Sequence, residues 1–292
     1  MPDLPRSSTA VERATALAGQ AATVQDIRSL AGGTHARTYL IQTANPRSEL
    51  ILREFPAGDE AACNEARVLA VLDGLGGLTP QLLATDPEGE PGEGPWTLIS
   101  RLPGTANITP GQPAAFAGQL GRALARIHAT PLSRLAEFRR VFDRPGGSSA
   151  MIGGPAASQV MGSWELLTRA PSVLTHYDFW SGNTLWDSGV LSGVVDWSGG
   201  AIGPRGFDVG WCRLDLYLLY DQEVADRFLS SYQAASNSAL GDPLPWDLWA
   251  AARSHQDVES WTRNYRDLGR TDLTAERLRK RHAAWTQHLL GH

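Results

Sequence analysis

The feature that most constrains this chain is a change of periodicity at Leu102-Pro103-Gly104. Before it, short alternating runs dominate. ATVQDIRSL and THARTYLIQTA read as strands around a glycine turn, ELILREF (49–55) as a third, and TPQLLATD and PWTLISRL (95–102) as two more flanking the loop PEGEPGEG. Helical spacing appears there only twice, over Thr9 to Gly19 and over Asp59 to Leu72, where Ala62, Ala66, Leu69 and Leu72 share one face. After it, helical periods take over: Gln112 to Thr130, Ser158 to Ala170, and roughly 206–236, 245–268 and 274–290, with short strands and a DSG turn confined to 173–197. Such a sequence divides its core. It predicts an α+β, bilobal fold with a small β-rich lobe over 1–101 and a larger, mainly helical lobe over 102–292. Residues 1–8 read as a frayed tail and 143–155 as a glycine-rich loop.

A length of 292 residues gives each lobe its own core, and the net charge of −5 comes from interleaved acids and bases. No basic arm or stripe suits a phosphate backbone, so nucleic acid is not an expected partner. No apolar run reads as a signal peptide or a bilayer span, which points to a cytoplasmic protein without a membrane partner. Cys63 and Cys212 lack metal-ligand or CxxC spacing and read as free thiols of a reducing compartment. Of the 26 basic residues only Lys280 is a lysine, so any site that would use lysine must use arginine here.

The chemistry concentrates in HYDFWSGN (176–183) and the GVVDW strand that follows. His176, Asp178 and Asn183 fit H-x-D-x-x-x-x-N, and the flanking TLW and SGVVDW runs read as a hairpin that brings Asn183 and Asp196 to neighbouring positions. An amide carbonyl and a carboxylate are hard oxygen ligands, suited to Mg²⁺ held against phosphates. Asp178 would then lie within reach of a hydroxyl aimed at the terminal phosphate. Phe179 reads as loop packing. Trp180 either packs the loop or faces an acceptor pocket, and the Ser-Gly gives a tight turn.

These motifs, with AGGTHARTYLI, ILREF, NEARVL, TPQLLATD, LISRLPG and GPRGFDVG in the same order, resemble the aminoglycoside phosphotransferase and choline kinase family over about residues 20–235. The resemblance implies the protein-kinase-like fold. It also implies transfer of the γ-phosphate of ATP (or GTP) to a hydroxyl of a small molecule, with Mg²⁺ as cofactor, by a monomer or homodimer. Asp178 is then the catalytic base or the carboxylate that orients the acceptor, Asn183 and Asp196 hold metal, His176 supports the loop, and Asp208 braces it from behind. Ser100 and Leu102 lie where hinge backbone groups bond the nucleotide base, and Gly32 and Gly33 turn the chain over the phosphates. The sequence departs from the family at Arg53, where a lysine paired with a helix glutamate is usual; Glu65 is the expected partner. Arginine keeps the charge and bonds phosphate bidentately, but with a different reach.

Only eleven residues separate Asp196 from Asp208, and no A-P-E motif follows, which argues against protein substrates. The tail from Asp221 to His292 carries ten acids and nine bases, a balance that weakens the reading of a polycationic acceptor. The prominent aromatics favour a larger or more apolar alcohol, among them an antibiotic, a sugar-bearing metabolite or an amino alcohol, in a resistance or a metabolic role. Most tryptophans, Trp211 and Trp261 included, read as core, and His128 as packing at a helix end. The alternative to turnover is a pseudokinase-like binding protein, supported by Arg53. An acyl-transfer or metal-hydrolytic enzyme lacks a nucleophile elbow or an HExxH ligand set.

Overall fold

The computed structural model describes all residues except 1–3, 31–34, 91, 136–137, 142–150, 238–239 and 292. Gly32, Gly33 and most of the glycine-rich 143–155 stretch therefore lie outside the described residues. The chain forms two compact units, Met1–Pro103 with Gly193–Gly199, and Gly104–Ser192 with Gly200–His292.

In the first unit, strands β1 (Thr23–Leu30), β2 (Arg37–Ala44), β3 (Ser48–Glu54), β4 (Leu82–Asp86) and β5 (Trp96–Ser100) form an antiparallel sheet of order β1-β2-β3-β5-β4. Alternation sorts the residues of β3. Leu50 and Leu52 join Tyr39, Ile41 and Leu98 under Ala10 and Ala14 of helix α1 (Ser8–Ala18). Arg53, of opposite parity, faces helix α2 (Ala61–Leu72), where Glu65 waits. Ser7 is a correction to the frayed tail. It caps α1 by accepting from Ala10 N, is fully buried, and bonds Glu54 through its N–H and Glu93 through its hydroxyl. The segment Gly193–Gly199 is tied in by bonds from Val194 N to Leu78 O and from Asn64 Nδ2 to Ser198 O, both 2.8 Å.

The second unit is helical around α6 (Gly206–Leu219), whose apolar residues run nearly all round the helix because it is buried on most sides. Phe207, Leu214 and Leu218 pack with Trp246 and Trp249 of α8 (Leu244–Ser254) and Trp285 of α10 (Ala275–Leu290) in one core. Helix α3 (Pro113–His128) lies close against α7 (Gln222–Ala235). A Cβ at Gly121 would sit 2.5 Å from the Phe228 carbonyl oxygen, so only glycine permits that approach. Three helices expected as continuous are broken. Ser158–Ala170 becomes α4 (Ala157–Gly162) and α5 (Trp164–Arg169), split at Ser163. The 206–236 run breaks at Tyr220, where Asp221 starts α7 by accepting from Val224 N. The 245–268 run is interrupted after Ser254 and resumes in a 3₁₀ turn, Val258–Trp261, and α9 (Thr262–Asp267). The short strand Thr105–Ala106, β6, pairs with Thr184–Asp187, β8, which forms a hairpin with Val190–Val194, β9. The remaining strands, β7 (Ser172–Thr175) and β10 (Ala201–Pro204), pair antiparallel; β7 leads into the loop that matters most and β10 into α6.

Candidate active site

The loop 176–183 is held from behind by two carboxylates on one helix. Asp208 and Asp215, two turns apart on α6, grip its two ends. Asp208 accepts the N–H of His176 at 2.7 Å and of Tyr177 at 2.8 Å. Asp215 accepts the N–H of Ser181 at 2.9 Å and its hydroxyl, and Tyr265 of α9 donates its phenol to the other oxygen at 2.8 Å. Burial raises the Asp215 carboxyl above its usual range against these bonds. Asp208 also meets His128 Nε2 at 3.1 Å, and His128 Nδ1 lies 2.8 Å from the Tyr232 hydroxyl. Burial lowers the His128 pKa despite Asp208, so the ring is neutral, donating from Nε2 and accepting at Nδ1.

With both ends fixed, the loop turns sharply. Tyr177 has φ 68°, a left-handed conformation that a non-glycine residue adopts only when its surroundings impose it. Next to it, half-buried Asp178 is held through both oxygens. Trp211 Nε1 donates to Oδ1 and Asn183 Nδ2 to Oδ2, each at 3.1 Å. Asn183 Nδ2 also donates to the Asp178 backbone carbonyl at 3.0 Å. Because both partners of that amide nitrogen are acceptors, its orientation is determined, and the Asn183 carbonyl oxygen is the atom left to meet a cation. Phe179 is fully buried against His176, with ring centroids 6.0 Å apart. The glycine of the Ser-Gly pair has a spatial reason rather than a conformational one. A Cβ on Gly182 would stand 2.1 Å from the Trp180 ring, which lies over it.

Trp180 does not simply pack the loop. With Trp211, Trp261 and Tyr265 it walls a cleft beside Asp178 that encloses about 410 Å³, part of it open to solvent. Trp211 and Trp261, expected as core, stand edge to face at 5.2 Å, and Trp180 and Tyr265 do so at 5.9 Å.

In the first unit, Arg53, Glu65 and Asp196 come together. Arg53 is 5% exposed; its guanidinium pairs with Glu65 through Nη1 and donates from Nη2 to Asp196 Oδ1 at 2.7 Å. Thr97 donates to Glu65 at 2.7 Å, and Ser198 to Asp196 at 2.8 Å. Burial works against the Arg53 charge, but Glu65 and Asp196 outweigh it and the guanidinium stays protonated; burial also pushes the Glu65 carboxyl up. Asp196, with φ 65°, is a second left-handed non-glycine residue. Ser100 lies in β5, where its N–H is committed to the Gln81 carbonyl at 2.9 Å, and the Leu102 side chain packs over Gly193.

The predicted residues thus fall into two groups, Arg53, Glu65 and Asp196 in one unit and His176, Asp178, Asn183 and Asp208 in the other. Asp215, Trp211 and Tyr265 were missed as site residues, while His128 packs at the end of α3 as expected. Among the described residues no group of three or more His, Cys, Asp or Glu is placed to hold a metal ion, and no helix is long and apolar enough to cross a membrane.

Residues 26–246 match the model of the phosphotransferase enzyme family. The fold is similar to that of an apo macrolide 2'-phosphotransferase, MphH, from Brachybacterium faecium, at 17% identity and TM-score 0.61 over 93% of this chain and 98% of that one. It is also similar to a thermostable mutant of the aminoglycoside phosphotransferase APH(4)-Ia in ternary complex with AMP-PNP and hygromycin B, at 16% identity and TM-score 0.62 over 96% and 98%. A macrolide 2'-phosphotransferase of type I aligns at 18% identity and TM-score 0.55 over 97% of each chain. No curated protein sequence matches it.

Proposed function

Because this chain belongs to the phosphotransferase enzyme family, a family of small-molecule kinases with hydroxyl acceptors, we propose that it moves the γ-phosphate of ATP or GTP to a hydroxyl of a small molecule in a Mg²⁺-dependent reaction. Asp178 orients the acceptor hydroxyl and takes its proton as that oxygen displaces the nucleoside diphosphate from phosphorus. Two N–H donors, from Trp211 and Asn183, fix the direction of the carboxylate that accepts that proton. Arg53, braced by Glu65, meets the phosphates, and Ser100 and Leu102 lie nearest the base. The Asn183 carbonyl oxygen and the Asp196 carboxylate would hold the metal, which when bound neutralises phosphate charge. His176 and Asp208 keep the loop in shape. The acceptor enters the aromatic cleft beside Asp178.

The observation that carries this reading is the mutual fixing of Asp178 and Asn183, which aims a carboxylate at the cleft and turns an amide oxygen the other way. Its test is Asp178→Asn, which keeps the size and removes the proton acceptor. Acceptor-dependent nucleotide consumption should fall by about 10²–10⁴-fold with nucleotide affinity retained; undiminished turnover would refute the assignment. One observation favours the alternative of a binding protein without turnover: Arg53 engages Asp196, the carboxylate assigned to metal. Nucleotide binding without consumption across a broad panel of hydroxyl compounds would establish that alternative.

A further inference from the structure

The cleft beside Asp178 states what kind of acceptor it fits. Its walls are the indoles of Trp180, Trp211 and Trp261 and the ring of Tyr265, locked edge to face in pairs. Among the described residues its acids are Asp178 and Asp215. Asp215 is 3% exposed, and its two oxygens are committed to Ser181 and to Tyr265. Asp178 is bonded by Trp211 and Asn183 and, on the phosphotransferase reading, receives the hydroxyl. Neither carboxylate is left over for a second ammonium group. A polycation would have to shed water from several charges against aromatic walls, and unpaired buried charge is costly. One cation, by contrast, is stabilised at the face of an indole, and apolar surface is favoured throughout. Trp261, Asn264 and Tyr265 also lie beyond residues 26–246, so this wall comes from a part of the chain that the family match does not cover.

We infer that the acceptor is an alcohol with an apolar or aromatic flank and no more than one positive charge, selected by Trp211 and Trp261; this rests on the phosphotransferase reading above. Calorimetric titration of the full chain without nucleotide measures selection, and probe-dependent nucleotide consumption with Mg·ATP measures transfer. The probes are 1-phenylethanol, 2-amino-1-phenylethanol and hygromycin B. Both phenyl alcohols should bind more tightly than hygromycin B. Trp261→Ala should weaken them by about tenfold, with most of that restored in Trp261→Phe. Hygromycin B binding as tightly as the phenyl alcohols, or unchanged affinities in Trp261→Ala, overturns the inference. Binding as expected with no nucleotide consumed by either phenyl alcohol leaves the acceptor class standing and counts against transfer. Consumption with hygromycin B alone does the reverse.

Discussion

The two units hold their acidic groups by opposite means. In the first, Glu65 and Asp196 are set against a buried guanidinium, charge on charge. In the second, Asp208 and Asp215 are held by backbone, imidazole and hydroxyl donors, and Asp178 accepts bonds from an indole and an amide. The difference is instructive. A charge cluster fixes position firmly but fails badly when one member is lost, because the others stay buried and unpaired. Neutral donors set direction while leaving the carboxylate its charge, which suits a group that must receive a proton.

The largest effect should come from breaking the charge cluster. Arg53→Met leaves Glu65, fully buried, and Asp196 without their cation, and should cost the first unit about 3–5 kcal/mol in chemical denaturation. Arg53→Lys keeps a charge but not a fork that spans both carboxylates, and should cost distinctly less. A Met variant with the wild-type denaturation midpoint would erase the contrast between the units.

Acid should expose the second unit's own hidden charges. Burial lowers His282, which meets Ser254 Oγ and the Ala251 carbonyl, to about 4. Its folded pKa lies below the unfolded value of 6.5, so the stability it contributes is present above pH about 6.5 and is lost as pH falls toward 4. Asp247, buried beside Arg213, is raised from 3.8 to about 6, again chiefly by burial. Its contribution is present below 3.8 and is lost as pH rises through 6, so the two trends oppose. His282→Gln removes the first trend and leaves the second, so stability should fall less on acidification from pH 6 to 4 than in the unmodified chain. An equal fall in both would show that His282 carries none of the acid sensitivity.

Much of the architecture was legible because it is local. The change of period at Leu102-Pro103-Gly104 separated a sheet from a helical region, and five strands and the long helices lie where the alternation put them. The breaks inside the helices were less visible. Asp221 before QEVADRF is a readable cap signal that makes its bond, whereas Ser163 after Gly162 caps α5 by position without a side-chain bond. Within the candidate site, the spacing H-x-D-x-x-x-x-N singled out Asp178 and Asn183, five residues apart and in direct contact. Trp211, Asp215 and Tyr265 stayed hidden because their partners lie 33, 34 and 50 residues away, a distance over which no period carries information. The tryptophans illustrate the cost of base rates: Trp246, Trp249 and Trp285 are core as expected, while Trp211 and Trp261 line the cleft.

A smaller loss is expected from the neutral side of the comparison. Asp208→Asn keeps one acceptor oxygen where the carboxylate served His176, Tyr177 and His128 through two. It should destabilise the second unit by about 2 kcal/mol and lower kcat, with nucleotide affinity unaltered. An equal loss of nucleotide affinity would mean that the helix supports more than the loop.

The finest test separates direction from packing at Trp211. Its indole N–H bonds Asp178 Oδ1, while its ring walls the cleft and meets Trp261 edge to face. Trp211→Phe removes the donor and keeps most of the apolar surface. Asp178 then retains the Asn183 bond at Oδ2 but loses the one that directs Oδ1, so kcat should drop by about tenfold while KM for the acceptor moves little. Trp211→Ala also opens the wall and should raise KM as well. A Phe variant that changes KM and spares kcat would reduce Trp211 to a wall residue. The carboxylate would then owe its orientation to Asn183 and to the two braces of α6, and the second unit would resemble the first in fixing its acid through one dominant partner.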